Sequence, residues 1–354
     1  VLSILEKYYQ NGLVLKQTHP TLDLSIWNYS PKVQYEKLWD DVTKICRGLV
    51  TNSEGKIIAR PFKKFFNYEE HSVNEIPNES FEVFEKMDGS LGVVFYYHGE
   101  WHMATRGSFI SNQSLVGLKM LKELSILKNY PSTGLNRNWT YLFEIIYKEN
   151  RIVCDYDFEG LVLLGAYETE SGNEIDFDIL KHKVGLFNDV RIVRKYNGIN
   201  DFKKLKETIA DDREGYVIRF KNGFRIKIKG EEYIRLHRIL TNISSRDIWE
   251  HLKDGKSLDE ILDKVPDEFY NWVKETKNNL NDEFTKIENE YKWIYKIITR
   301  SSNSTERKVF AEYALKYKHS SILFSMYNKK DYKKIIWKLL YPSYTKPFKN
   351  DKEN

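Results

Sequence analysis

Up to about residue 240, apolar and polar positions alternate in short runs rich in Val, Ile, Phe and Tyr. Such runs predict strands. Examples are Phe81–Glu85, Leu91–Tyr97, Glu100–Ala104, Thr140–Ile146, Gly160–Tyr167, Gly215–Phe220 and Phe224–Ile228. His98-Gly99 and Asn222-Gly223 are hairpin signals between them. Helical spacing interrupts at Gln113–Leu127 and Ile199–Ile209. After residue 240 the apolar period lengthens to that of a helix. Ser257-Leu258-Asp259-Glu260 reads as a capping box. Beyond Pro266, the run Asp267–Ile298 places Phe269, Trp272, Val273, Leu280, Phe284, Ile287, Tyr291, Ile294 and Ile298 on one helical stripe. Ser301–Thr305 breaks it. Helices are then expected at Arg307–Tyr317 and Asp331–Leu340, the second stopped by Pro342. The fold class expected is α+β over residues 1–240, followed by an all-helical domain over 241–354.

Composition narrows the setting. The 354 residues are 41% hydrophobic, 30% charged and 14% aromatic, as in a globular protein with a large core. No run of about 18 apolar residues is present, so no membrane span is expected. The N-terminus lacks a basic-then-apolar targeting pattern. Cys46 and Cys154 sit in apolar, strand-like runs, away from any CxxC or Cys/His cluster. A zinc site and a disulfide framework are not expected, and a reducing cytoplasm fits. Net charge is +5, unevenly spread. Residues 300–354 hold 13 Lys/Arg against 5 Asp/Glu, a local +8, whereas 241–299 are at −4. The basic tail suits a phosphate backbone. A solvated lysine-rich surface is the competing reading.

The candidate chemistry begins at Lys86-Met87-Asp88-Gly89-Ser90, a lysine on a tight turn between two strands. A lysine amine attacks phosphorus only after losing its proton, which burial and neighbouring cations favour. Lys227 and Lys229 flank Ile228 on one strand, so both ammonium groups point to one face. An anion between them would offset their repulsion, as a polyphosphate does. A solvent-facing strand is the alternative. Glu214-Gly215 opens the preceding strand and offers a carboxylate for a metal ion. Glu144 lies among Leu142, Phe143, Ile145 and Ile146, and needs a partner if it faces inward. Arg47 heads one apolar strand and Arg106 ends another. Arg60-Pro61-Phe62-Lys63-Lys64-Phe65-Phe66-Asn67 interleaves cations with aromatics, compatible with nucleotide contact or with snorkelling lysines over a core.

In this order the pieces resemble the covalent nucleotidyltransferases, which comprise RNA ligases, DNA ligases and mRNA capping enzymes. The nucleophile motif KxDG is matched by Lys86-Met87-Asp88-Gly89. The motifs that follow it are matched by Arg106-Gly107, Phe143-Glu144, Glu214-Gly215 and Lys227-Ile228-Lys229. Within that superfamily, residues 40–240 look most like the tRNA-repairing RNA ligases of T-even phages. Cys46-Arg47-Gly48, Arg60-Pro61, Lys64 to Asn67, Asn150-Arg151-Ile152-Val153 and Tyr233 to His237 carry that likeness. Arg106 departs from it, standing where the phage enzymes have lysine.

The resemblance implies an ATP-grasp-like, antiparallel-sheet adenylyltransferase domain and a helical domain that selects RNA. It implies ATP, with Mg2+ or Mn2+, and broken RNA such as tRNA as substrate. Lys86 would be adenylated. Arg47, Lys64, Lys227 and Lys229 would contact the ATP phosphates, and Tyr233 would lie near the outer ones. Glu144 would hold the ribose, Arg106 would sit near the sugar and Glu214 would organise the metal. DNA ligases and capping enzymes are the nearest rivals. Both usually continue into a five-stranded barrel, whereas this chain continues into helix. A non-catalytic RNA-binding relative is the rival of another class.

Overall fold

A computed structural model of the chain describes residues 1–128, 134–150, 152–199, 201–234, 237, 243–262, 270–301 and 307–343. It forms two compact units, residues 1–240 and 241–354. The strand-like alternation of the first unit resolves into three sheets. In chain order the strands are β1 (Val14–Thr18), β2 (Leu24–Tyr29), β3 (Arg47–Asn52), β4 (Ile57–Ala59), β5 (Phe66–Asn67), β6 (Phe81–Lys86) and β7 (Ser90–Tyr97). They continue as β8 (Glu100–Ala104), β9 (Trp139–Ile146), β10 (Gly160–Glu168), β11 (Arg191–Ile192), β12 (Lys195–Tyr196), β13 (Gly215–Phe220) and β14 (Arg225–Lys229). The sheet orders are β1-β2-β3-β4, β11-β10-β9-β7-β8 and β12-β6-β13-β14-β5. Pairing is antiparallel except for two short pairs, β10–β11 and β14–β5.

Alternation decides which faces are buried. On β9, Tyr141, Phe143 and Ile145 enter one apolar cluster with Leu121, Ile126 and Leu163. Glu144 therefore points the other way, as do Leu142 and Ile146, which feed two separate clusters. At the far end of the β13–β14 hairpin, Arg219 pairs with Glu82 and with Glu174, and Arg225 also pairs with Glu174. Burial would raise the Glu174 carboxyl, but Arg225 and Arg219 outweigh it and hold it below the usual range. The His98-Gly99 turn has positive φ at both residues, 46° and 89°, as a two-residue type I′ hairpin requires.

Several expectations shift in detail. The helix expected at Gln113–Leu127 runs Asn112–Glu123 and ends where Leu124 turns extended; Ser125–Lys128 is a separate turn. The segment read as an α-helix at Ile199–Ile209 contains a 3-10 helix, Phe202–Thr208, which buries Phe202 and Leu205. Their spacing of three is the period of that tighter helix. Neither cysteine lies in a strand. Cys46 caps the short Asp41–Ile45 helix and Cys154 sits in an irregular segment before β10. Both are buried because apolar runs also line tight connections.

Among its described residues the second unit consists of helices joined by short connections, with no strand. Helices run Ser245–Lys253, Asp259–Leu262, Tyr270–Ser301, Arg307–Ala314, Ser320–Tyr327 and Lys333–Leu339. The long helix starts within the described residues at Tyr270; Pro266, Asp267 and Phe269, and the break at 302–305, lie outside them. Tyr291, Ile294 and Ile298 pack against Phe310, Ala314, Ile322, Leu323 and Ile336. Ser257 Oγ accepts a hydrogen bond from the Asp259 amide at 3.1 Å; the Glu260 side chain of the expected capping box lies outside the description. No helix among the described residues is long and apolar enough to cross a membrane.

Candidate functional site

The site is built on three adjacent strands. Gly215, at the start of β13, stands opposite Lys86 at the end of β6 and opposite Lys229 at the end of β14. Glu214, one residue earlier, lies between the two lysines. Its Oε2 is 2.7 Å from Lys86 Nζ and its Oε1 is 3.7 Å from Lys229 Nζ. Glu214 is 4% exposed, so these charges meet with little water between them. Gly215 has φ 146°, and a Cβ there would stand 2.0 Å from the Ile228 carbonyl oxygen. Only glycine lets β13 and β14 close at this point. Lys227 lies one alternation back on the same face of β14 and is buried, opposite Asn67 of β5. Ile226 and Ile228 point into the core on the other face.

The turn after Lys86 is fixed from three directions. Asp88 Oδ2 accepts hydrogen bonds from the Val153 and Cys154 amides, each at 2.8 Å. Asp88 Oδ1 accepts one from the Tyr233 hydroxyl at 2.8 Å, and the Asp88 amide donates to the Tyr156 hydroxyl at 2.8 Å. A Cβ at Gly89 would meet the Ile145 carbonyl oxygen at 2.7 Å and Glu144 Cγ at 3.1 Å. The turn therefore presses directly on β9. Tyr233, expected near the outer phosphates, has its hydroxyl committed to Asp88 and its ring 5.6 Å from the Lys229 ammonium.

Glu144 faces this cleft. Burial pushes its carboxyl up to about 8, Lys86 and Arg47 pull against that, and Glu214 and Asp88 add to it. At neutral pH it holds a proton and can donate a hydrogen bond. The linkage has a definite sign. A carboxyl whose folded-state pKa is raised binds more protons folded than unfolded, so its contribution to stability is present below pH 4.5 and lost as pH rises towards 8. Glu144→Gln, which mimics the neutral acid, is expected to lack that loss. Its melting temperature relative to wild type should rise between pH 4 and pH 8.5, which bracket the interval of about 4.5 to about 8. Parallel melting curves across that range would contradict the assignment.

A second group of cations surrounds Tyr29. The Arg106 guanidinium and the Lys64 ammonium lie 5.5 and 5.7 Å from the Tyr29 ring centre. Arg106 also donates to the Tyr29 hydroxyl at 3.3 Å. Lys64 is buried, with its ammonium 5.4 Å from Trp39 and 5.5 Å from Phe66. Arg47 lies 5.8 Å from the Phe65 ring. Ring faces attract a cation without neutralising its charge. Arg60 is used differently: it donates to the carbonyls of Thr169 and Glu170. Tyr29, Trp39 and Tyr156 escaped the sequence reading, since each looks like a core aromatic in its own segment. Arg151 lies outside the described residues.

A sequence profile described as RNA ligase matches residues 45–233, more than half the chain and every residue just placed except Tyr29 and Trp39. The chain belongs to the RNA ligase family. An RNA ligase of Rhodothermus phage RM378 is 26% identical over 91% of this chain and 88% of its own length. RNA ligase 1 of bacteriophage TS2126 is 30% identical over 36% of this chain and 35% of its own. A solved archaeal ATP-dependent RNA ligase superposes with TM-score 0.48 at 14% identity, covering 89% of this ligase and 85% of that chain.

Proposed function

We propose that this RNA ligase joins a 3′-hydroxyl to a 5′-phosphate using ATP, through an adenylate on Lys86. The observation that supports this most is the register of Lys86, Gly215 and Lys229 across three strands, with Glu214 clasped between the lysines. In the first step the Lys86 amine, having shed its proton, attacks the α-phosphorus. A nitrogen–phosphorus bond forms and pyrophosphate leaves. In the second, an RNA 5′-phosphate oxygen takes the AMP, giving a 5′–5′ pyrophosphate and restoring the amine. In the third, a 3′-hydroxyl attacks the RNA phosphate, loses its proton and expels AMP.

Each residue has a task that fits its placement. The Lys86–Glu214 ion pair must open before attack, and cations arriving with the polyphosphate compete for Glu214. Lys227 and Lys229 offset the charge building on the transferring group. Arg47 and Lys64 hold the outer phosphates, and Arg106 and Glu144 take the ribose hydroxyls. Tyr233 acts through Asp88, fixing the nucleophile turn. A single carboxylate suits Mg2+ or Mn2+, which keeps several waters and is held largely by phosphate oxygens. Glu214 would hold it, and the ion would supply charge neutralisation at the phosphates. Among the described residues, no group of three or more acidic, His or Cys side chains forms a metal cage.

The helical unit is assigned to choosing the RNA, with broken tRNA as the substrate the phage resemblance suggests. Arg300, Arg307, Lys308, Lys329, Lys330, Lys333, Lys334 and Lys338 are all exposed and available to phosphates. The test is ligation of single-stranded RNA, nicked duplex and cleaved tRNA, with ATP or GTP, at two salt concentrations. ATP-dependent joining, best on the cleaved tRNA and falling steeply with salt, is expected. Use of GTP in place of ATP, or sealing of nicked DNA alone, would overturn the reading.

A further inference from the structure

The long Tyr270–Ser301 helix turns Tyr291, Ile294 and Ile298 into the core of its unit. Its other face carries Trp293, 64% exposed, and beside it Ile297, 37% exposed. An indole this open is uncommon, because its large apolar surface is usually covered. Its surroundings are cationic. Lys286, Trp293 and Arg300 follow one another at intervals of seven residues, which on a helix places them in one line with about 20° of drift per step. Lys296 flanks that line, and Lys286, Lys296 and Arg300 are all exposed. Of the two acidic residues within these turns, Glu288 is engaged by Lys292 and Tyr332, and Glu290 is exposed. Arg300 alone would be explained by its place in the last turn, where a cation suits the helix dipole. That does not account for Lys286 or for the exposed indole between them.

A protein-docking face fits poorly, since the cores of such interfaces are depleted in lysine. A flat aromatic ring in a row of cations is the arrangement that holds single-stranded nucleic acid, with a base on the ring and phosphates on the cations. We propose that Trp293, with Lys286, Lys296 and Arg300, is a stacking platform for an unpaired base of the RNA substrate, outside the site of bond formation. This rests on the reading of the chain as acting on RNA.

The test is the binding of a short labelled single-stranded RNA and of a fully paired RNA duplex to the full chain, followed by fluorescence anisotropy. Wild type, Trp293→Ala, Trp293→Phe and Lys296→Glu/Arg300→Glu are compared. Far-UV circular dichroism and thermal melting report whether the helical unit of each variant is folded, and adenylate formation with ATP alone reports the same for the first unit. Trp293→Ala should bind the single strand roughly tenfold more weakly, the scale of one lost stack, with duplex binding unchanged. Trp293→Phe should recover most of the affinity, and the charge reversal should flatten the salt dependence. If wild type binds no RNA, the functional reading itself fails. If wild type binds and Trp293→Ala binds equally well, the platform is refuted and the face is left to a protein partner. Equal losses on single strand and duplex would also refute it, since a duplex offers no free base.

Discussion

Lys86→Arg is expected to form no covalent adenylate and to lose overall ligation by on the order of 10⁴-fold or more, the scale seen when a covalent nucleophile is removed. The substitution keeps the positive charge and the ion pair with Glu214, 2.7 Å away in the native protein. What it removes is an amine that can give up its proton, because guanidinium does not do so in proteins. The same variant should still seal RNA that already bears a 5′-adenylate, since that step no longer needs the amine. This split separates loss of the nucleophile from collapse of the site. A variant that ligates ordinary 5′-phosphorylated RNA at even a tenth of the native rate would mean another residue carries the adenylate.

Gly215→Ala should have the second largest effect. Its Cβ would fall 2.0 Å from the Ile228 carbonyl oxygen and 2.9 Å from Lys229 Cα, at a φ of 146° that alanine rarely adopts. Relief requires β13 and β14 to part where Lys86, Glu214 and Lys229 meet. Adenylate formation should fall by about 100-fold or more, the scale of losing preorganised charge stabilisation. Thermal stability should fall as well. Gly223→Ala is the control. Gly223 also has positive φ, 84°, but lies at the hairpin tip with nothing within 4 Å of the added carbon. It should cost about 1 kcal/mol of stability and leave adenylation intact. Equal activity losses at the two glycines would show that strain alone, and not the register at Gly215, is responsible.

Much of this arrangement was legible because strand alternation is a local property. Lys227 and Lys229 share a face whatever the rest of the fold does, and Glu144 must oppose Phe143 and Ile145. The register that sets Lys86 beside Gly215 is not local: it joins residues more than a hundred positions apart, and the order of the motifs hinted at it without fixing it. The ring faces of Tyr29, Trp39 and Phe66 around Lys64 come from three segments; Phe66 belongs to the stretch that interleaves cations with aromatics, but neither Tyr29 nor Trp39 carries a distinguishing pattern. After residue 240 the helices Tyr270–Ser301, Arg307–Ala314 and Lys333–Leu339 were legible from a polar face, whereas Ser245–Lys253 was not expected although it too is amphipathic. Ser320–Tyr327 was not expected, because SSILFSMY is nearly apolar all round and has no stripe to read. The 3-10 segment at Phe202–Thr208 was misread because two apolar residues three apart suit either helix.

The central claim is that Lys86 carries AMP between ATP and RNA. Its most direct measurement is intact mass spectrometry of the wild-type chain after incubation with ATP and Mg2+, with the modified peptide sequenced. The account predicts one added AMP, attached at Lys86, which disappears when 5′-phosphorylated RNA is supplied. An adduct on a different residue, or RNA joining by protein that never acquires one, would contradict it.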